Sequence, residues 1–428
     1  MAARWRLVEC GLLVFPVAWL ALGTVALALV RGTALTLVTW GPVLVYAAAM
    51  LLVYVLLVWR WPTADQLLLP LVAALSAVGL LMVSRLAPGL VWRQALWIVV
   101  GAAALLSVLL LLPRVDWLAR YKYTWAVAGC LLVIVTFVFG VDLNDSGMRL
   151  WLGAGGLYFQ PSEILKVLLV VFLASYLADT RELLALAGRR LGPLRLPPPP
   201  YLLPLLAVWL LALGLLVVQR DLGAALLFFG VFLALLYVAT ARLDWVVAGL
   251  GAFVLGAAVC YQLFPHVRDR VAIWLDPWPE AQGRAYQLVQ ALIALGAGGV
   301  LGTGLGYGSP EYIPAVHTDF VIAAIGEELG LLGSLAVVAL YLLLVYRGFR
   351  VAVRAPDGYL QLLAAGLSTV LGLQALIILG GATRLIPLTG ITLPFVSYGG
   401  SSLLVNYLIA GLLLRISAEP ERLPGAAD

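Results

Sequence analysis

The chain has 428 residues, of which 64% are hydrophobic and 11% charged, and its mean hydropathy is +1.07. That balance excludes a water-soluble globular domain as the main body of the chain. The formal net charge of +5 says less than the placement of the cations, because short loops rich in Lys and Arg stay on the cytoplasmic side of a membrane.

A membrane-spanning helix needs roughly 20 mostly apolar residues. Such runs are predicted near 10–29, 41–59, 66–86, 93–112, 123–140, 162–178, 201–218, 222–239, 245–264, 318–345, 360–380 and 401–416. The first is long, lacks an A-x-A-like exit and is followed by further spans, so it reads as a retained anchor rather than a signal peptide. Arg4, Arg6 and Arg60, then Arg114, Arg120 and Lys122, then Arg181, Arg189, Arg190 and Arg195, then Arg347, Arg350 and Arg354 fall at the ends of alternate loops. Both termini are therefore expected to be cytoplasmic. The expected fold class is an all-α integral membrane protein, a polytopic helical bundle of about twelve transmembrane helices with a large exoplasmic loop between spans 9 and 10.

Cys10, Cys130 and Cys260 lie in apolar runs without metal-ligand spacing and read as packing residues. Pro197 to Pro200 suggests a stiff cytoplasmic linker, and the tail after Ser417 reads as disordered.

In so apolar a chain the polar residues carry the information. The first polar segment runs from Ser146 through Arg149-Leu-Trp151 and Phe159-Gln160-Pro-Ser-Glu163 to Lys166. Pro161 suits the first turn of a helix, on which Glu163 and Lys166, three residues apart, share a face and can pair. That pair is either a structural ion pair or a cation facing an anion-holding cavity with Glu163 fixing its position. The second segment, Gln219-Arg-Asp-Leu-Gly223, reads as a tight turn. The third is the long stretch from Pro265 to Thr318, containing His266, Arg268, Asp269, Arg270, Asp276, Glu280, Arg284 and His317. Within it, residues 286–295 predict a half-buried helix leading into the glycine-dense Gly296 to Gly308, whose glycines suit close backbone approach. The stretch ends on Ala315-Val-His-Thr-Asp319-Phe, with Asp319 at the outer mouth of a span. Glu327 lies eight residues, or about 12 Å, further along that helix at ~1.5 Å per residue. A helix N-cap is the structural alternative for Asp319. The fourth segment, Thr383 to Ser402, is too polar and too rich in Gly and Pro for a lipid-facing helix, so it is expected to re-enter against a cavity.

These four segments, in this order, resemble the SEDS family of bacterial morphogenesis proteins typified by RodA, FtsW and SpoVE. The likeness covers residues 66–417 and rests on Arg149-Leu-Trp-Leu-Gly153, Phe159 to Glu163 with Lys166, Gln219 with Asp221-Leu-Gly223, His317-Thr-Asp-Phe320 with Gly326-Glu-Glu-Leu-Gly330, and Leu393 to Ser402. The resemblance implies a peptidoglycan glycosyltransferase, for elongation or division. It would polymerise lipid II at the outer face of the cytoplasmic membrane, release undecaprenyl pyrophosphate and work with a class B penicillin-binding protein. On the family pattern Asp319 matches the essential acid, Glu163 and Lys166 the polar pair beside the cavity, and Trp151 the loop tryptophan. Asp319 would be the general base. Lys166, Arg268, Arg270 and Arg284 are the cations nearest the departing pyrophosphate by topology, and Arg149, Gln160, His317, Ser397 and Ser401 complete the expected substrate-binding set. No cofactor is demanded, although a divalent cation, Mg or Mn, could share the leaving-group role. Nucleic acid is not an expected partner, and membrane lipids are.

The chain departs from the family pattern at Arg220, where Pro is usual, at Ala291, where Ser is common, and from Gly381 to Arg384. It also carries two extra spans before residue 63. The expected division is thus residues 1–62 as two added helices, 63–417 as the family-like core of ten, and 418–428 as a cytoplasmic tail. A lipid II flippase or transporter is the alternative, on the strength of intramembrane Glu163, Lys166, Glu327 and Glu328. A scaffold recruiting the penicillin-binding protein is the third reading.

Overall fold

The structure is a computed structural model, and it describes residues 6–112, 114–142, 149–155, 157–186, 189–191, 194–196 and 199–419. Arg4, Ser146, Pro197 and the tail beyond Glu419 lie outside the described residues. Fifteen α-helices are described: α1 Leu7–Arg31, α2 Leu37–Arg60, α3 Leu68–Leu86, α4 Val91–Leu111, α5 Asp116–Arg120, α6 Lys122–Phe139, α7 Pro161–Leu186, α8 Pro199–Val218, α9 Leu222–Thr240, α10 Leu243–Leu263, α11 Pro265–Leu275, α12 Tyr286–Ala297, α13 Val321–Arg354, α14 Gly358–Ala382 and α15 Gly400–Ser417. Among the described residues twelve of them are long and apolar enough to cross a membrane. Each corresponds to one predicted run, because a span is dictated by local composition over about 20 residues. The protein is an all-α polytopic membrane protein.

The chain forms two compact units, the first made of Met1–Leu111, Arg268–Arg347 and Gln374–Ala418, the second of Leu112–Val267, Gly348–Leu373 and Glu419–Asp428. In the first unit α15 packs along α4, α1 along α3, and α2 along α4. Close approach is made possible by Gly101, where a β-carbon would strike the Tyr407 ring, and by Gly79, where it would strike the Phe395 and Val396 carbonyls. Arg31 at the end of α1 donates to Ser84 O (3.0 Å) and Arg85 O (2.8 Å) at the end of α3, so α1 and α3 run parallel. At their opposite ends Arg6 donates to Trp61 O (2.9 Å) and Asp65 O (2.8 Å). Asp65 pairs with Arg347 of α13, and its Oδ1 accepts from Leu67 N and Leu68 N at the start of α3.

The predicted single span 318–345 is broken. Gly330 (φ 69°, ψ −169°) interrupts α13, and the glycine-dense segment satisfies both sides of the break. Thr303 N and Gly304 N donate to the carbonyls of Glu327 and Glu328, while Leu331 N and Leu332 N donate to Gly299 O and Val300 O. The helix-end groups that a break would orphan are thus paired. The expected close approach is seen here: a β-carbon at Gly298 would strike Gly326 O, and one at Gly302 would strike Glu328 O.

In the second unit α7 packs against α6 and α9, and α9 also contacts α8 and α10. Two hairpins were not anticipated. β1 (Leu152–Ala154) pairs antiparallel with β2 (Leu157–Phe159), with Leu152 opposite Phe159, and β3 (Arg189–Leu191) pairs with β4 (Leu194–Leu196) just before the expected linker. Pro199 and Pro200 open α8 instead of extending a linker, since Pro is well suited to a helix's first turn. The loop 265–318 also holds more helix than expected, because α11 forms at its start.

Candidate active site

In the first unit the segment before α13 turns tightly at Ala315 (φ 52°). Thr318 N and Asp319 N both donate to Ala315 O, at 3.0 and 3.2 Å. The turn leaves the half-buried Asp319 carboxyl just ahead of Val321, the first residue of α13. Desolvation raises its pKa from 3.8 to about 6, against the lowering effects of a hydrogen bond with Thr318 and the charge of Arg270. No hydrogen bond from the α13 backbone to the Asp319 carboxyl is found among the described contacts, so the capping alternative has no geometric support.

The re-entrant segment locks this turn in place. Ser397 Oγ donates to Thr318 O (2.5 Å) and accepts from Leu393 N (3.0 Å). Tyr398 N donates to His317 O (2.8 Å), and the Tyr398 and His317 rings lie 5.8 Å apart. Burial lowers the His317 imidazole pKa from its ordinary value, which keeps the ring neutral at pH 7. The segment is itself held from below: Tyr341 Oη donates to Pro394 O (2.5 Å), and Gln374 Nε2 to Thr392 O (2.9 Å). Ser401 is buried in the first turn of α15.

The three arginines of the loop have different surroundings. Arg270 donates to Thr389 O (3.3 Å) and acts electrostatically on Asp319. Arg284 is engaged by Asp269 (2.5 Å) and Glu280 (3.1 Å), which offset its charge. Arg268 is exposed. Glu327 and Glu328 each have a partner outside α13. Glu328 pairs with Arg85 in the last turn of α3 (2.7 Å) and accepts from Gly306 N, while Glu327 Oε1 accepts from Ser309 N (2.8 Å). Both carboxylates therefore sit level with the ends of α1 and α3, beside the glycine-dense loop.

In the second unit Pro161 opens α7, and Lys166 Nζ meets Glu163 Oε2 at 2.6 Å with the ammonium buried. The pair forms as their spacing predicts. Trp151 is half-buried, and Val141 N donates to its carbonyl (2.7 Å). Arg149 reaches Val138 O (3.3 Å) from an exposed position. Sequence reasoning missed the role of Asp221. Its Oδ1 caps α9 by accepting from Ala224 N (3.1 Å), and its Oδ2 accepts from Ser162 Oγ (3.2 Å) and Gln160 Nε2 (3.3 Å). The turn reading holds, with Arg220 in the left-handed region at φ 61°, but Asp221 also ties that turn to the start of α7. An Asp directly before an apolar helix was the available signal. Among the described residues no group of three or more His, Cys, Asp or Glu side chains could hold a metal.

A polytopic membrane protein with an acid poised at a helix mouth under a re-entrant segment is the class these features define. The chain belongs to the family described as cell cycle protein, that of FtsW, RodA and SpoVE, which it matches over residues 56–422. It is 45% identical over 369 residues to the peptidoglycan glycosyltransferase RodA of Mycobacterium tuberculosis, covering 83% of this chain and 78% of the relative. It is 35% identical over 339 residues to the probable peptidoglycan glycosyltransferase FtsW of Geobacter metallireducens, covering 78% and 86%. Among solved structures it resembles a chain from work on the structural coordination of polymerization and crosslinking by a peptidoglycan synthase complex (TM-score 0.69, 30% identity, 83% and 97% covered). It also resembles the rod shape determining protein RodA of Thermus thermophilus (TM-score 0.59, 29% identity, 84% and 97% covered).

Proposed function

We propose that this chain is a peptidoglycan glycosyltransferase that polymerises lipid II into glycan strands, with Asp319 as its general base. The observation that carries the reading is the Asp319 carboxyl, half-buried at the mouth of α13 with its pKa raised to about 6. Such a group is mostly ionised at pH 7 and basic enough to take a proton in the transition state. The sugar 4-hydroxyl of one glycan unit gives its proton to Asp319 as its oxygen bonds to the anomeric carbon of another. The bond from that carbon to undecaprenyl pyrophosphate breaks, and attack opposite the leaving group inverts the centre. Arg270, which already lowers the cost of negative charge at Asp319, supplies positive potential on the same side. Lys166 and Arg268 are further cations for the pyrophosphate, with Arg284 a weaker one because two carboxylates engage it. Trp151, Arg149, Gln160, Glu163, His317, Ser397 and Ser401 are assigned to substrate binding or its support. A divalent cation, Mg or Mn, remains compatible with this chemistry.

The names carried by the relatives support the reaction class, and the likeness to a synthase complex supports a transpeptidase partner of the class B penicillin-binding kind. With both termini cytoplasmic, as the Lys and Arg bias indicates, the Asp319 mouth faces the exoplasmic side. Residues 63–417 would form the catalytic core, with 1–62 as an accessory helix pair or partner-docking surface and 418–428 as a tail. Against the flippase alternative, Glu327 and Glu328 are both engaged by neighbours, Ser309 N and Arg85 among them.

The test is glycan-strand formation from purified lipid II by the detergent-solubilised chain, with and without its penicillin-binding partner. Asp319→Ala and Asp319→Asn are expected to lose polymerisation by roughly 10²- to 10⁴-fold while eluting as folded protein in gel filtration. Wild type that makes no polymer with its partner yet moves fluorescent lipid II across liposomes would sink the reading in favour of the transporter.

A further inference from the structure

We propose that Arg384 is a positioning residue for the transfer reaction, holding α11 against residues 383–399 so that Arg270 keeps its hold on Thr389 O, in the segment whose Ser397 bonds the Asp319 turn at Thr318 O. The proposal rests on the glycosyltransferase reading of Asp319.

None of the α11 side chains is buried, so apolar packing does little to locate this helix, and polar contacts must. They converge on one short stretch. Arg384 Nε donates to Trp274 O (2.8 Å) and its Nη2 to Leu275 O (2.5 Å). These carbonyls close α11 and have no partner within it. A guanidinium at a helix C-terminus is also favoured by the helix dipole. Trp274 Nε1 returns a hydrogen bond to Arg384 O (3.2 Å). One turn earlier, on the same face, Arg270 donates to Thr389 O (3.3 Å). Arg384 itself takes φ 61°, a conformation that a residue with a side chain keeps only where its surroundings hold it. Its amide donates to Gly381 O (3.2 Å), so a single residue joins the end of α14 to the end of α11.

The charged groups around Asp319 are few. Arg270 comes from α11, whose Asp269 is engaged by Arg284. His317 lies on the acid's own turn. Residues 383–399 carry one charged side chain, Arg384, and one phenol, Tyr398, and α12 carries only the phenol of Tyr286. Displacing α11 therefore removes the one cation that acts on the acid.

The experiment is the pH dependence of lipid II polymerisation by the full-length solubilised chain for Arg384→Ala, Arg384→Lys, Arg270→Gln and the Arg384→Ala/Arg270→Gln pair, beside Asp319→Asn. Arg384→Ala is expected to lower kcat by roughly tenfold to a hundredfold, the scale of a misplacement of about 1 Å. Its acid limb should move to higher pH, as in Arg270→Gln. Arg384→Lys should recover part of the rate, because one ammonium can still reach the α11 carbonyls. The double variant should be no slower than Arg270→Gln alone. A folded Arg384→Ala with the wild-type profile, or losses that multiply in the double variant, would overturn the proposal. If Arg384→Ala does not fold, Trp274→Phe, which deletes the return hydrogen bond while keeping an aromatic ring there, decides the matter by whether the limb moves. Asp319→Asn with full activity would instead defeat the reading of the base, whatever the other variants do.

Discussion

A carboxyl with a pKa of about 6 is ionised at pH 7 and protonated at pH 5. A general base must be ionised to act, so polymerisation should rise with pH through about 6, level off above it and fall away below it. The measurement is initial rate against pH from 5 to 8 with lipid II saturating. A rate flat across that interval would remove Asp319 from the role of base. Burial lowers the pKa of His317, which favours its neutral form as pH rises through the plateau. The physical cause of the raised value is desolvation at the mouth of α13, which outweighs the Thr318 hydrogen bond and the Arg270 charge.

The start of α9 and the break in α13 each depend on one carboxylate making several hydrogen bonds. Asp221 serves Ala224 N, Ser162 and Gln160 together. Asp221→Ala should cost about 2 kcal/mol, roughly 1 for the cap and the rest for acceptors lost to neighbours. Asp221→Asn, an equally good cap, should cost much less, and thermal unfolding in detergent separates the two. An equal loss in both would mean that the charge and not the cap matters. Glu328 is fully shielded, whereas Arg85 is half-buried. Glu328→Gln leaves the guanidinium with only the more exposed Glu311 as an anion, at 3.6 Å, and should destabilise by about 1–3 kcal/mol, the scale of one lost charged hydrogen bond. The same melting assay reads it, and an unchanged midpoint would show that the glycine-dense loop holds itself.

In lipid a helix gains little from shielding apolar side chains, because acyl chains are as apolar as Leu. The attachment of α1 and α2 therefore relies on shape, as at Gly23 where a β-carbon would strike Leu81, and on the hydrogen bonds of Arg6 to Asp65 O, Arg31 to Ser84 O and Arg85 O, and Tyr46 Oη to Ala73 O. Removing residues 1–55 should leave a chain that inserts and polymerises lipid II, with a lower melting midpoint. Complete loss of polymer from a folded truncation would make the pair part of the catalytic machinery and not an accessory.

Hydropathy is a property of consecutive residues, and it was enough to locate every span among the described residues and to single out the four polar segments. The Glu163–Lys166 pair was legible for the same reason, since three residues on a helix fix proximity. Partners distant in the chain were not legible. Arg85 meets Glu328 across 243 positions, Trp274 meets Arg384 across 110, and Gln160 meets Asp221 across 61. No local period records such pairings, because they arise only when helix ends are brought together. The break at Gly330 was hidden for a related reason: a glycine within an apolar run reads as helix until a neighbouring loop supplies partners for the amides and carbonyls it frees. Composition along the chain thus determined that this is a many-spanning membrane protein and where its polar segments lie. Tertiary packing decided which carboxylates serve structure and which one, Asp319, stays poised at the mouth.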